Sequence, residues 1–268
     1  MQQAQSRKLI FIVAGASVLV ASLAFGFVKA RSVMNLRKEA GATRLDKMPR
    51  LMLWAWERPT DLRFIDPKET GVAFLARTIR LHSGEVEVRP RLQPLNLPEA
   101  TTAMAVARIE TDARRKPELS ATQRQELAGA IADMAKLPNV AHIQIDFDAT
   151  KSERAFYRDV IFDVRRRLPQ TVSLSITALA SWCTYDDWFS DLPIDEAVPM
   201  LFRMAADGKQ IARQLDAGDD FISPACRHSY GISTDEPRSG LSLARRLYVF
   251  NSDPWTKDSV RTIVESKK

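Results

Sequence analysis

Cysteine, histidine and glycine are scarce: the 268 residues include two, three and ten of them. Cys183 and Cys226 stand without histidine at ligand spacing, so they form no metal site, and no residue pattern implies a metal or organic cofactor. Two readings of the pair stay open, a disulfide in an oxidising compartment or two buried free thiols. His82 falls in a turn and His142 begins a strand, which leaves only His228 near a strand end. No glycine-rich phosphate loop follows the first apolar strand, which argues against an open doubly wound nucleotide-binding sheet. No internal repeat or low-complexity tract is present. Charge is not concentrated either: 39 Lys and Arg face 33 Asp and Glu. The basic residues are dispersed and no nucleic-acid motif accompanies them, so no nucleic-acid partner is expected.

Long apolar runs are limited to one. Leu9–Val28 has membrane-spanning length and follows Arg7 and Lys8, the pattern of a signal peptide or an uncleaved anchor. Ser22-Leu23-Ala24 offers small residues for cleavage, yet the run continues through Phe25 and Phe27, which favours an anchor over a cleaved signal or a buried helix. Lys29, Arg31, Arg37, Lys38 and Arg44 follow it and count against export under the positive-inside rule. The N-terminal position of a single apolar segment counts for export. The expectation is an inner-membrane anchor over residues 1–28, a basic juxtamembrane linker over 29–50, and one domain over 51–268 on the periplasmic side.

From Leu51 onward, short apolar strands alternate with amphipathic segments, the rhythm of successive βα units. Strands are expected at Met52–Trp56, Val72–Thr78, Met104–Ile109, Ala141–Phe147, Val172–Ala178, Ala197–Phe202, Asp220–Ala225 and Leu247–Asn251. Helices are expected at Ala121–Lys136, Glu153–Leu168, Tyr185–Leu192, Gln210–Asp216 and Lys257–Ser266. Ile79–Pro98, with a turn at His82-Ser83-Gly84, reads as a β-hairpin in place of one helix. Eight strands and a closing helix point to a single-domain α/β fold, a (β/α)8 TIM barrel.

His142–Glu153 is where chemistry concentrates. Ile143, Ile145 and Phe147 alternate with Gln144, Asp146 and Asp148, so the polar residues share one strand face. Two aspartates are unfavourable in a strand interior, and the run then breaks toward a helix with Ser152 as expected N-cap. In a barrel of this class the catalytic end is where strands pass into their following loops. Residues two apart have Cα atoms roughly 6.6 Å apart, close enough for two carboxylates to interact and one pKa to rise. The candidate catalytic residues are therefore Asp148, Asp146 and Glu110. Trp56, Glu57, Arg77, Trp182, Arg203, Arg227 and Trp255 fall at other strand ends and are candidate substrate-binding residues. Paired carboxylates flanked by tryptophan faces fit a glycosidic bond and its sugar rings. A structural alternative stands beside each assignment. Arg108 or Arg77 can pair with Asp146, Glu110 can start a helix, and the tryptophans can plug the barrel.

Ile143–Ala149, Leu174–Trp182 and Val198–Met204 resemble three consecutive barrel strands of chitinase-type glycoside hydrolases. Over Leu51–Trp255, with Cys226–Ser233 as a further shared piece, the chain is also similar to a bacterial domain family of unknown function. The chitinase resemblance implies alternating acidic residues on the fourth strand, ending in a glutamic acid that protonates the leaving group. It also implies an aspartate two residues earlier that steadies the substrate's acetamido group. Asp146 and Asp148 match the last two aspartates of that series. Gln144 and Thr150 depart from it, and Thr150 stands where the acid belongs. A hydroxyl cannot replace a tuned carboxylic acid, whose loss lowers rate by about two to four orders of magnitude. Glu110 or Glu57 then takes that role, or the barrel binds sugar without cutting it. The expected function is a membrane-tethered, glycoside-hydrolase-like barrel acting on an envelope polysaccharide or glycan. The alternative is a non-catalytic glycan-binding or assembly protein.

Overall fold

A computed structural model describes residues 44–186 and 188–265. The apolar segment Leu9–Val28, linker residues 29–43 and Asp187 lie outside the described residues. Among the described residues no helix is long and apolar enough to cross a membrane.

The strands are β1 (Leu51–Ala55), β2 (Thr60–Asp61), β3 (Thr70–His82), β4 (Glu85–Pro90), β5 (Leu95–Asn96), β6 (Ala103–Thr111), β7 (Val140–Asp146), β8 (Ser173–Leu179), β9 (Glu196–Met200), β10 (Ser229–Ser233) and β11 (Arg246–Phe250). Eight of them pair in parallel in the order β1-β3-β6-β7-β8-β9-β10-β11, and β11 returns to β1, so the barrel is closed. β4 folds antiparallel onto β3, as the hairpin reading expects, and β2 pairs with β5 outside the barrel. The helices are α1 (Ala121–Ala132), α2 (Arg154–Arg167), α3 (Ala180–Tyr185), α4 (Gly208–Asp216) and α5 (Lys257–Glu265). They follow β6, β7, β8, β9 and β11. No helix follows β1, β3 or β10 among the described residues, so the (β/α)8 pattern is incomplete in its outer layer.

Strand parity sorts the core into two layers. Ile143, Ile145 and Phe147 face outward and pack with Leu127, Ile131, Tyr157 and Val160 of α1 and α2. Inside the barrel, Met52, Trp54, Ala73, Met104, Val106, Val198 and Tyr248 form the filling. Gly231 belongs to that layer because a Cβ there would lie 2.9 Å from the Trp54 ring and 3.1 Å from Met200 Sδ. Glycine alone admits that approach.

A polar column runs through this filling. Trp54 Nε1 donates to Gln144 Oε1 at 2.9 Å, and Gln144 Nε2 donates to Ser175 Oγ at 3.2 Å. Lower down, Glu196 accepts from Arg246 Nη1 and Tyr248 OH, both at 2.8 Å. Glu196 is completely buried, so this ion pair is satisfied on both sides, as a buried charge requires.

Four expectations need correction. The seventh barrel strand is Ser229–Ser233 rather than Asp220–Ala225. Pro224 opens a 3-10 turn through Arg227, and Cys226 is joined to Cys183, which holds this stretch in the outer layer. The helix expected at Tyr185–Leu192 lies earlier, at Ala180–Tyr185, directly after β8. The α2 N-cap is Glu153 rather than Ser152, and it makes no side-chain cap bond. Its carboxylate instead accepts from Thr150 N and Thr150 Oγ1, each at 2.7 Å. Finally, the last part of the expected linker, Arg44–Arg50, docks on the barrel. Leu45 and Met48 join the interior filling, and the Leu45 and Pro49 carbonyls accept from Arg246 at 2.5 and 3.1 Å. Arg44 bonds Asp195 at 2.6 Å.

Candidate active site

The C-terminal ends of β3, β6 and β7 enclose an open cavity of about 470 Å3, lined by Arg80, Arg108, Glu110, Asp112, Phe147 and Asp148 among others. β6 carries Arg108 and Glu110 two residues apart on the face that follows the interior. Neighbouring β7 places Asp146 in register with Arg108.

Asp146 is buried and engaged on both oxygens. Arg108 Nη1 donates to Oδ2 at 2.7 Å and Thr177 Oγ1 donates to Oδ1 at 2.7 Å. The structural alternative named for Asp146, pairing with Arg108, is the arrangement found. Asp148 lies beyond it, with its side chain 59% exposed and its carboxyl 3.8 Å from Arg108 Nη2. Desolvation among the strand ends raises its pKa first, the Asp146 charge adds to that, and Arg108 opposes both. Arg108 itself is held charged, because Asp146, Asp148 and Glu110 together outweigh the desolvation that works against its proton.

Glu110 shares the cavity with Asp148, and Arg80 Nη2 lies 3.4 Å from its carboxylate. Asp112 is held below the usual carboxylate range by the backbone N–H groups of Arg114 and Arg115 and by the Arg115 side chain. Arg80 and Asp112 were not among the sequence candidates. Arg80 is turned to the cavity by a β-bulge between Leu75 and Arg77, which inserts one residue into β3 relative to β6. The same bulge turns Arg77 outward, where it donates to the Ala130 carbonyl at 2.5 Å.

The remaining candidates are distributed around the barrel. Glu57 sits at the end of β1, paired with Arg89 at 3.1 Å and within 3.4 Å of Thr78 Oγ1. Trp56 packs edge-on against Phe250, which stacks on Phe202, and the Arg203 guanidinium lies 5.3 Å over the Phe250 ring. Arg203 is in the left-handed region at φ 51°, with its backbone N–H donating to the Glu236 carboxylate at 3.0 Å. Trp56 and Arg203 thus share an aromatic group at the mouth, on the β1, β9 and β11 side. Trp182 is buried, with Trp188 edge-on at 5.1 Å and Arg154 5.6 Å over its ring, so its faces are already covered. Trp255 donates Nε1 to the Trp54 carbonyl at 2.9 Å and packs in the outer core. Arg227 precedes β10, donates to the Phe221 carbonyl at 2.8 Å and lies 3.6 Å from Asp220. Cys183 and Cys226 are both buried and form a disulfide with Cα atoms 5.9 Å apart.

Among the described residues no group of three or more His, Cys, Asp or Glu is placed to hold a metal ion. The arrangement offers three carboxyls in one open cavity, Glu110, Asp112 and Asp148, of which Asp148 has an elevated pKa and Asp112 a lowered one, beside two guanidinium groups. That set can donate a proton to an oxygen and stabilise or hydrate a developing cation.

No family model and no curated protein matches the chain. Among solved structures it matches the crystal structure of the chitinase domain of the spore coat protein CotE from Clostridium difficile, at a TM-score of 0.41 and 13% identity. That match covers 81% of this chain and 71% of the other. At this identity no residue role passes from one chain to the other.

Proposed function

We propose that the chain is a membrane-tethered barrel of glycoside-hydrolase type that acts on a polysaccharide or glycan of the cell envelope. The observation that carries this reading is that Asp148 and Glu110 share one open cavity at the C-terminal end of a closed parallel barrel. Asp148, with its pKa raised, is the proton donor to the glycosidic oxygen. As the bond from the anomeric carbon to that oxygen breaks, Glu110 faces the developing positive charge and takes a proton from the water that adds. Asp146 does not meet substrate: it holds Arg108 in place beneath Asp148. Trp56 and Arg203 extend the mouth toward further sugar units.

The tether is the apolar run Leu9–Val28. Export of the barrel is supported by the Cys183–Cys226 disulfide, because such bonds persist in oxidising compartments.

A second reading, glycan recognition without cleavage, is favoured by one contact. Arg80 lies 3.4 Å from Glu110 and pairs with the second carboxylate of the set. Assays of wild type, Asp148→Asn and Glu110→Gln on a panel of envelope glycans separate the two. Release of reducing ends by wild type, reduced about a hundredfold or more in each variant, supports hydrolysis. Equal binding by all three with no release by any of them supports recognition alone.

A further inference from the structure

The wall of the barrel has a second cavity, on the opposite side of the sheet from the filling and separate from the carboxylate cleft. In β10 and β11, Gly231 and Tyr248 face the interior, so Ile232, Leu247 and Val249 face outward. A helix following β10 would cover those three side chains. The chain instead runs as a loop from Thr234 to Arg245. Between this loop, the two strands and α5 lies a space of about 780 Å3.

The loop is held as an arch and does not collapse onto the wall. Thr234 Oγ1 bonds Asn251 Oδ1 at 2.5 Å at its start. Arg238 bonds the Ala212 carbonyl at 2.9 Å and Asp216 at 2.8 Å, which ties the middle to α4. Arg245 bonds Asp220 at 2.7 Å and lies 5.0 Å over the Tyr230 ring at its end. Gly240, at φ 75°, makes the reversal between these anchors. The loop presents Leu241 to the core and leaves Leu243 60% exposed at the mouth. An apolar side chain on an arch pinned at three points marks a space that the fold keeps open.

The chemistry of the lining selects the ligand. Its floor is aliphatic, from Ile232, Leu247 and Val249, and its rim carries hydroxyls, from Ser233, Thr234, Ser259 and Thr262. The two charged residues that line it, Arg238 and Arg245, are already engaged, Arg238 with Asp216 and Arg245 with Asp220, which Arg227 shares. An ionised ligand would lose its hydration without a free counter-charge. A space of this volume has room for one long alkyl chain with a small head. Pockets of this volume, mostly apolar with a few directed polar groups, are the usual form of small-ligand sites.

We propose that the space between the Thr234–Arg245 loop, β10, β11 and α5 binds one uncharged single-chain lipid. Its alkyl chain lies on Ile232, Leu247 and Val249, and its hydroxyl head donates to the rim oxygens, because Thr234, Ser259 and Thr262 already give their own protons to Asn251 and to the Thr256 and Asp258 carbonyls. The site is independent of the carboxylate cleft and of the activity assigned to it.

The test uses the full chain in lipid nanodiscs, labelled with a long-chain alcohol that carries a photoreactive diazirine, followed by mass spectrometry of the labelled peptides. The expected result is label in peptides covering 230–249 and 257–265, displaced by excess dodecanol. Thr262→Trp, on the exposed face of α5, fills the mouth and lowers that labelling at least tenfold with the melting temperature unchanged. Should the tryptophan lower the melting temperature, Leu243→Ser at the exposed mouth lowers labelling in its place. Label spread over the whole barrel, or label that neither variant lowers, overturns the site. A fatty-acid analogue that labels these peptides tenfold more strongly than the alcohol overturns the choice of an uncharged head.

Discussion

The Arg108 guanidinium reaches both aspartates of the β7 end, at 2.7 Å from Asp146 and 3.8 Å from Asp148. One arginine thus divides two neighbouring carboxylates into different duties. Asp146 is buried and bonded on both oxygens, whereas Asp148 stands in the open cavity.

That division predicts a split in stability. Asp146→Ala leaves Arg108 and Thr177 without their partner and is expected to lower unfolding free energy by about 2–4 kcal/mol, somewhat under the range for a fully buried pair because Arg108 is one-third exposed. Asp148→Asn is expected within about 0.5 kcal/mol of wild type, as for an exposed position. Urea denaturation measures both, and equal losses in the two variants would contradict the assignment.

A second prediction concerns the Asp148 proton. Its pKa lies above the ordinary carboxylate value, and Arg108 is the group that restrains it. Arg108→Gln removes the positive charge and leaves Asp146 in place, so the Asp148 titration moves further up. Carboxyl-selective NMR titration follows it directly, and a downward move in the variant would show that the arginine does not set the value.

Much of this site was readable from alternation alone. Isoleucines at 143 and 145 put Gln144 and Asp146 on the interior face, and the barrel arrangement of Met52, Met104 and Val198 follows the same parity. The sites that parity misplaces have identifiable causes. One inserted residue in β3 exchanges Arg77 for Arg80 at the cavity, and a bulge leaves no signature in local composition. Asp220–Ala225 has strand-like composition, but its Asp220 and Cys226 find partners in Arg245 and Cys183, distant in sequence. Trp182 follows β8 at a strand end, yet the short helix α3 turns it under Trp188. Docking of Arg44–Arg50 depends on Arg246, about 200 residues away in the chain, which local composition cannot express.

The disulfide gives a third prediction. It links residues 43 apart, for which chain-entropy reasoning gives roughly 2–4 kcal/mol of stabilisation, referred to the unfolded chain. Cys183→Ala with Cys226→Ala is expected to lose that amount under oxidising conditions and nothing further on adding reductant. Thiol titration of unfolded, non-reduced wild type should find no free sulfhydryl. Two reactive thiols there would remove both this prediction and the support for export.

The last prediction follows from His142, near the start of β7, at the end closed by Arg44–Arg50. Its ring nitrogen Nδ1 lies 2.7 Å from Ser173 Oγ, and burial, with Arg246 and Arg44 nearby, pushes its pKa down to about 4 from 6.5. The folded protein therefore keeps His142 neutral where the unfolded chain already binds a proton. Its contribution to stability is complete above about pH 6.5 and is lost as pH falls toward 4, with a slope of up to about 1.4 kcal/mol per pH unit. Carboxylates such as Asp146 add their own acid sensitivity at the lower end, so the informative quantity is a difference between two proteins. His142→Asn retains a polar group for Ser173 and has no proton to gain. Urea midpoints measured at pH 7.5, 6.0 and 5.0 should converge, with wild type losing stability faster than the variant over that interval. Parallel losses would mean that protonation of His142 is not coupled to unfolding, and that the closed end of the barrel admits enough water to solvate the charged ring.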